Sequence, residues 1–136
     1  MLYLNIDNIG IILNILLPEE KMKIDNNLMR GNTRMLVLAI IDTGNKYGYE
    51  IIRELETKSY GTFMIKEGTL YPILHDLENE ELIFSKSYKM ENNRIRKYYK
   101  ITKKGKAYLY TKKREWREFV SKIEMIIGKE AEAINI

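Results

Sequence analysis

The sequence predicts a mainly α-helical chain that carries one small β-hairpin and closes on a long helix, an α+β arrangement. Three observations point to it. Apolar residues recur at helical spacing in three runs between Leu28 and Glu81. The period then drops to two between Leu82 and Ile101, interrupted by Glu91-Asn92-Asn93. Beyond that, Trp116, Phe119, Val120, Ile123, Ile126 and Ile127 form an apolar stripe at helical spacing, which needs a covering surface.

Taken in order, residues 1–21 form an extension whose role the residues leave open. It is apolar as far as Leu17, but Asn5, Asp7, Asn8, Gly10 and Asn14 interrupt it and no Lys or Arg precedes Lys21, so neither a signal peptide nor a membrane span fits. It is either a short extra helix docked on the domain or an extension upstream of the functional start. Codons for Pro18 to Met22 can hold a ribosome-binding sequence before an ATG, so translation is expected to start naturally at Met22; the intact mass of the native gene product checks this.

Leu28, Leu36, Val37, Ile40 and Ile41 predict a first helix, stopped by Asp42-Thr43-Gly44-Asn45. Gly48 opens a second, with Tyr49, Ile51, Ile52 and Leu55 inward and Glu50, Arg53, Glu54 and Glu56 outward. Leu70, Ile73, Leu74 and Leu77 mark a third, ending near Glu81. Two strands, Leu82 to Met90 and Arg94 to Ile101, predict a hairpin with an Asn-rich tip. Thr102 is placed to cap the final helix, because its hydroxyl can accept from a free amide of the first turn.

The 136 residues suit one domain with an appended element. At 45% hydrophobic and 31% charged, the composition is that of a folded protein. The absence of Cys and the single His75 exclude thiol chemistry, disulfides and the usual zinc sets. No nucleophile or carboxylate lies near His75 in a catalytic spacing and there is no phosphate-cradling loop, so neither an enzyme nor a cofactor is expected. The net charge of +4 conceals a segregation: Leu82 to Arg117 carries thirteen Lys or Arg against Glu91 and Glu115, a balance of +11 that leaves −7 for the rest. A block so one-sided creates a field suited to a polyanion.

Three helices, a hairpin and a long last helix are the parts of a winged helix-turn-helix with an added pairing helix. Four segments then acquire meaning together: Leu28-Met29-Arg30-Gly31, Tyr47-Gly48-Tyr49-Glu50-Ile51, Glu67-Gly68-Thr69-Leu70-Tyr71-Pro72, and Arg96 to Gly105. In order and spacing they resemble the PadR family of bacterial transcriptional regulators, over about Met22 to Gly128. The resemblance implies a cytoplasmic DNA-binding regulator acting as a homodimer on a palindromic operator, in the family's short form with a single C-terminal dimerisation helix. Residues 22–101 would be the DNA-binding domain, 102–128 the dimerisation helix and 129–136 a tail.

By that resemblance the third helix reads DNA. Asp76, Glu78, Glu80 and Glu81 would repel phosphate, so contacts are expected from its amino-terminal end, from Lys66, Thr69, Tyr71 and His75. Tyr71 can alternatively pack in the core. Pro72 suggests that the helix starts close by, and Lys66 stands where the family commonly has a capping serine. Arg94, Arg96, Lys97 and Lys100 of the wing are expected on the DNA backbone and minor groove, or else form a merely solvated basic strand. Of the family's usual Gly-Arg-Pro at the wing tip, only Arg94 remains.

Trp116 follows Gly105 by eleven residues, as in members that bind flat aromatic compounds between subunits. A planar aromatic effector at the dimer interface, with release of a repressor from its operator, is the implied function, and plain interface packing is the alternative for Trp116. A winged helix that contacts DNA or protein without sensing anything is the alternative for the whole chain.

Overall fold

The computed structural model describes residues 23–128. The 1–21 extension, the proposed start at Met22 and the 129–136 tail lie outside the described residues. Among the described residues, five helices and three strands follow one another: α1 (Asn26–Arg30), α2 (Thr33–Asp42), β1 (Lys46–Tyr47), α3 (Gly48–Lys58), α4 (Glu67–Asn79), β2 (Ile83–Lys89), β3 (Ile95–Ile101) and α5 (Lys103–Ile127).

The first expected helix is two. Gly31 has low helix propensity, and Asn32 bonds backward at the same point: its N–H reaches Met29 O at 3.0 Å and its Nδ2 reaches Leu28 O at 2.9 Å. The Asn32 carbonyl then accepts from Leu36 N at 3.0 Å, which restarts the helix as α2. Helix α4 also begins earlier than its proline suggested. Pro72 is its sixth residue, beyond the first turn, so the missing N–H leaves the Gly68 carbonyl without its helical donor. Gly68 is exposed, and water can serve that carbonyl. Lys66 caps the helix with extended backbone and no side-chain bond, as its replacement of serine implied.

The sheet has three strands rather than two, in the order β1-β3-β2, all antiparallel. Strand β1 is only Lys46 and Tyr47, opposite Tyr99 and Tyr98. Its ladder comes from residues fifty positions away, so no local period announces it. At the wing tip Asn93 takes the left-handed conformation, with φ of 65°, that asparagine tolerates better than most residues.

The core lies where α2, α3 and α4 meet the inner face of the sheet. Val37, Leu38, Ile41, Ile51, Leu70, Leu74, Leu77, Ile83 and Leu109 are all fully buried. Each such aliphatic side chain contributes about 1.5–3 kcal/mol on leaving water. Glu54 ties β1 to α3: Lys46 Nζ bonds its carboxylate and Lys58 Nζ lies 3.5 Å away. The Lys46 hydrogen bond holds the Glu54 carboxyl below the usual carboxylate range against the opposing effect of burial.

Helix α5 starts where the sequence placed it. Thr102 Oγ1 accepts from Gly105 N at 2.9 Å, and the same hydroxyl oxygen is within donating distance of the carbonyl oxygens of Glu81, at 2.7 Å, and Leu82, at 3.0 Å. Gly105 is required by space alone, since a Cβ there would stand 2.0 Å from Leu82 O. Among the described residues, no helix is long and apolar enough to cross a membrane.

Candidate nucleic-acid interface

Helix α4 turns Leu70, Leu74 and Leu77 into the core, which leaves Tyr71, His75 and Asn79 as one exposed row at four-residue spacing. His75 Nε2 and Asn79 Nδ2 are 3.2 Å apart along that row. Tyr71 is 49% exposed, so the core placement weighed for it does not occur. Its hydroxyl comes near the start of α3, 3.0 Å from where a Cβ on Gly48 would be, so a larger residue there would push the ring outward by a few tenths of an ångström. Thr69 is exposed but lies about 200° around the helix from Tyr71, so it joins Lys66 at the helix end rather than the Tyr71 row.

Two of the four acids expected to repel phosphate are paired within the molecule. Glu80 pairs with Arg34, and Glu78 is bound from both wing strands: Ser85 Oγ donates to it at 2.5 Å and Lys97 Nζ lies 3.7 Å away. Glu78 carries no periodic signal that separates it from its solvated neighbours, and sequence reasoning missed this role.

Strand alternation divides the four wing cations. Arg94 lies at the tip, with its N–H on Asn92 Oδ1 at 3.1 Å. Lys97 faces inward beside Glu78 and over the Tyr99 ring. Burial, with Glu78 and Tyr71 nearby, pushes the Tyr99 phenol up. Arg96 and Lys100 fall on the outer face of the sheet, where Arg96 stacks 4.1 Å from the centre of the Tyr47 ring. The expected set therefore does not converge on one surface.

The stripe of α5 is open. Phe119 is 62% exposed and Ile126 is 85% exposed, with Trp116, Ile123 and Ile127 also uncovered and Val120 half-buried. Trp116, Phe119, Val120 and Ile123 line one wall of an apolar groove of about 490 Å³, and Ile24, Leu28, Met35 and Phe63 line the opposite wall. Phe63 belongs to a linker and shares no helical period with the others, so its place in the groove could not be read in advance.

Comparison with known proteins fits this geometry. Residues 37–111 match the transcriptional regulator PadR-like family, a span that runs from α2 through the wing into α5. A transcriptional regulator from Clostridium thermocellum is 35% identical and superposes with a TM-score of 0.67, over 78% of this chain and 99% of that one. The uncharacterized protein X of Lysinibacillus sphaericus is 35% identical over 102 residues, covering 75% of this chain and 94% of that protein. Transcriptional regulator YqjI of Escherichia coli is 30% identical over 94 residues, which span 69% of this chain but only 42% of YqjI. The winged arrangement, the exposed row on α4, the basic hairpin and the matched span lead to one statement: this chain belongs to the PadR-like family of transcriptional regulators, not to an enzyme family.

Proposed function

We propose that the chain is a homodimeric repressor that binds a palindromic operator in double-stranded DNA and releases it when a small planar aromatic molecule enters the dimer interface. The observation that carries this reading is the uncovered apolar stripe of α5 beside a groove whose volume suits a small ligand. A second copy laid along that stripe would remove it from water and set two α4 helices about one turn of DNA apart. In this reading, residues 22–101 bind DNA, 102–128 pair the subunits, and the protein works in the cytoplasm.

Lys66, Thr69, Tyr71 and His75 would meet bases and phosphates from the start of α4, with Arg94 in the flanking minor groove. Lys97, Arg96 and Lys100 would add to the field, Lys97 less so because Glu78 holds it. Trp116 would stack on the effector, with Phe119, Val120, Ile123, Ile126 and Ile127 completing the interface. Effector binding shifts the equilibrium only if it favours the dimer geometry that fits the operator poorly.

The test has two linked readouts. A gel shift with promoter DNA from upstream of its own gene should show specific binding that weakens steeply with salt. Titration with planar aromatic compounds should quench Trp116 fluorescence and release that DNA over the same concentrations. Specific DNA binding without any effector response would leave the simpler winged-helix DNA-binding module.

A further inference from the structure

The outer face of the sheet is used neither by the core nor by the row on α4. Its seven side chains form a checkerboard. Phe84 stands opposite Lys100, Lys86 opposite Tyr98, and Tyr88 opposite Arg96, while Tyr47 flanks Tyr98 from β1. Aromatic and cationic groups therefore alternate along β2 and β3 and across that pair, while Tyr47 and Tyr98 put two rings side by side, and none of the seven is acidic. Glu50 is the acid that reaches the edge, where its carboxylate accepts from the Tyr47 N–H at 3.2 Å.

Three of the four rings are held by neighbours. Tyr98 meets Tyr47 and Tyr88 edge to face, with both pairs of centres 5.5 Å apart. Arg96 stacks on Tyr47 and interacts with the Tyr98 hydroxyl, and Lys86 lies 5.6 Å from the Tyr88 ring centre. Phe84 and Tyr88 remain 46% and 43% exposed, so ring surface is open beside the charges. Ordering Tyr47, Tyr88, Tyr98 and Arg96 on binding costs little, because their neighbours already hold them.

We infer that this face is a binding platform for single-stranded nucleic acid. Lys86, Arg96 and Lys100 complement a phosphate chain, and the face is continuous with the wing proposed to meet operator DNA. Charge alone would suit a duplex or an acidic peptide equally well. The rings decide between them: a duplex keeps its base faces stacked inside, and an acidic peptide has no use for four aromatic neighbours. Unpaired bases offer flat faces that stack on such rings whatever their sequence.

The experiment is fluorescence anisotropy of the full chain with labelled oligo-dT and oligo-rU of about 15 nucleotides. Binding to either, with a log-log salt slope near −2 for three neutralised phosphates, is the expected result. Tyr88→Ala and Phe84→Ala should each weaken binding about 5-fold to 150-fold, the loss of one stacked base, while Tyr88→Phe should restore it. The same variants should bind the promoter duplex like the parent, which keeps this test separate from the regulatory reading. No binding at low salt overturns the proposal, as does binding that ignores Tyr88→Ala. A polyglutamate peptide that binds with the same Tyr88 dependence would overturn it in favour of an acidic protein partner.

Discussion

Glu78 holds a wing cation that would otherwise be free to meet DNA, and Glu78→Gln tests whether it keeps that hold on the operator. The Glu78 carboxylate has Ser85 Oγ at 2.5 Å and Lys97 Nζ at 3.7 Å, with both charged side chains partly exposed. An ion pair of that kind contributes no more than about 0.2–1 kcal/mol, so it weakens the hold of Lys97 on a phosphate without abolishing it, while Ser85 keeps Glu78 turned to the wing. A lysine released onto phosphate steepens the salt dependence by about 0.9 in log-log slope, or about 3.5-fold in relative affinity between about 50 and about 200 mM salt. Four proteins are compared by anisotropy on promoter duplex across salt: the parent, Glu78→Gln, Lys97→Gln and the double variant. Lys97→Gln should lower the slope by clearly less than about 0.9 in the parent and by about 0.9 in the Glu78→Gln background. A loss of about 0.9 in both backgrounds would mean that Lys97 sits on phosphate regardless, and the reasoning fails.

Three further outcomes follow from packing and charge. Gly105→Ala must open a 2.0 Å approach to Leu82 O to at least an ordinary contact, so despite the better helix propensity of Ala it should lower the urea midpoint, at a net cost of about 2 kcal/mol or more; unchanged stability would refute the close approach. Thr102→Ala removes the α5 cap and two carbonyl contacts and should cost about 1–2 kcal/mol, measured the same way. Glu54 has a depressed folded pKa, so its contribution is complete above the ordinary Glu value and is lost as pH falls through the lower folded value. Glu54→Gln should therefore flatten the acid side of the stability curve while leaving its shape above neutrality unchanged.

The parts of the fold with a strong local period were legible in advance. The apolar runs of α3, α4 and α5, the alternation of the hairpin and the Thr102 cap each rest on neighbours in sequence, and the structure has them within a few residues. What escaped depended on partners far away. Strand β1 exists because Tyr98 and Tyr99 offer a ladder, and the break at Gly31 depends on the backward bonds of Asn32. At the candidate site, the row of Tyr71 and His75 follows from helical spacing alone. The division of Arg96 and Lys100 from Lys97 follows from strand parity, but which face meets the core is settled by Ile83, Tyr99 and Ile101 packing against α2 and α4. Charge count gave the wing its polyanion-binding character and could not give its sidedness.

The junction at Thr102 joins α5 to the turn that follows α4, the helix proposed to read DNA. Within four residues the start of α5 takes hold of the turn that follows α4: Lys104 Nζ donates to Glu80 O at 3.0 Å, Thr102 Oγ1 reaches Glu81 O, and Thr102 N donates to Leu82 O at 3.0 Å. Gly105 seats against the same Leu82 carbonyl with no slack. A tilt of α5 is therefore passed to the turn that follows α4, because the joint has several bonds and no spare volume, and in our reading that turn passes it on to α4. The Lys66 end of α4 is about 20 Å from that joint, so a rotation of about 5° displaces it by about 1.7 Å. Hydrogen bonds to bases tolerate only a few tenths of an ångström. An effector that rotates paired α5 helices by so little would break operator contacts without unfolding anything, and a loosened joint, as in Thr102→Ala, should uncouple Trp116 quenching from DNA release before either binding event is lost.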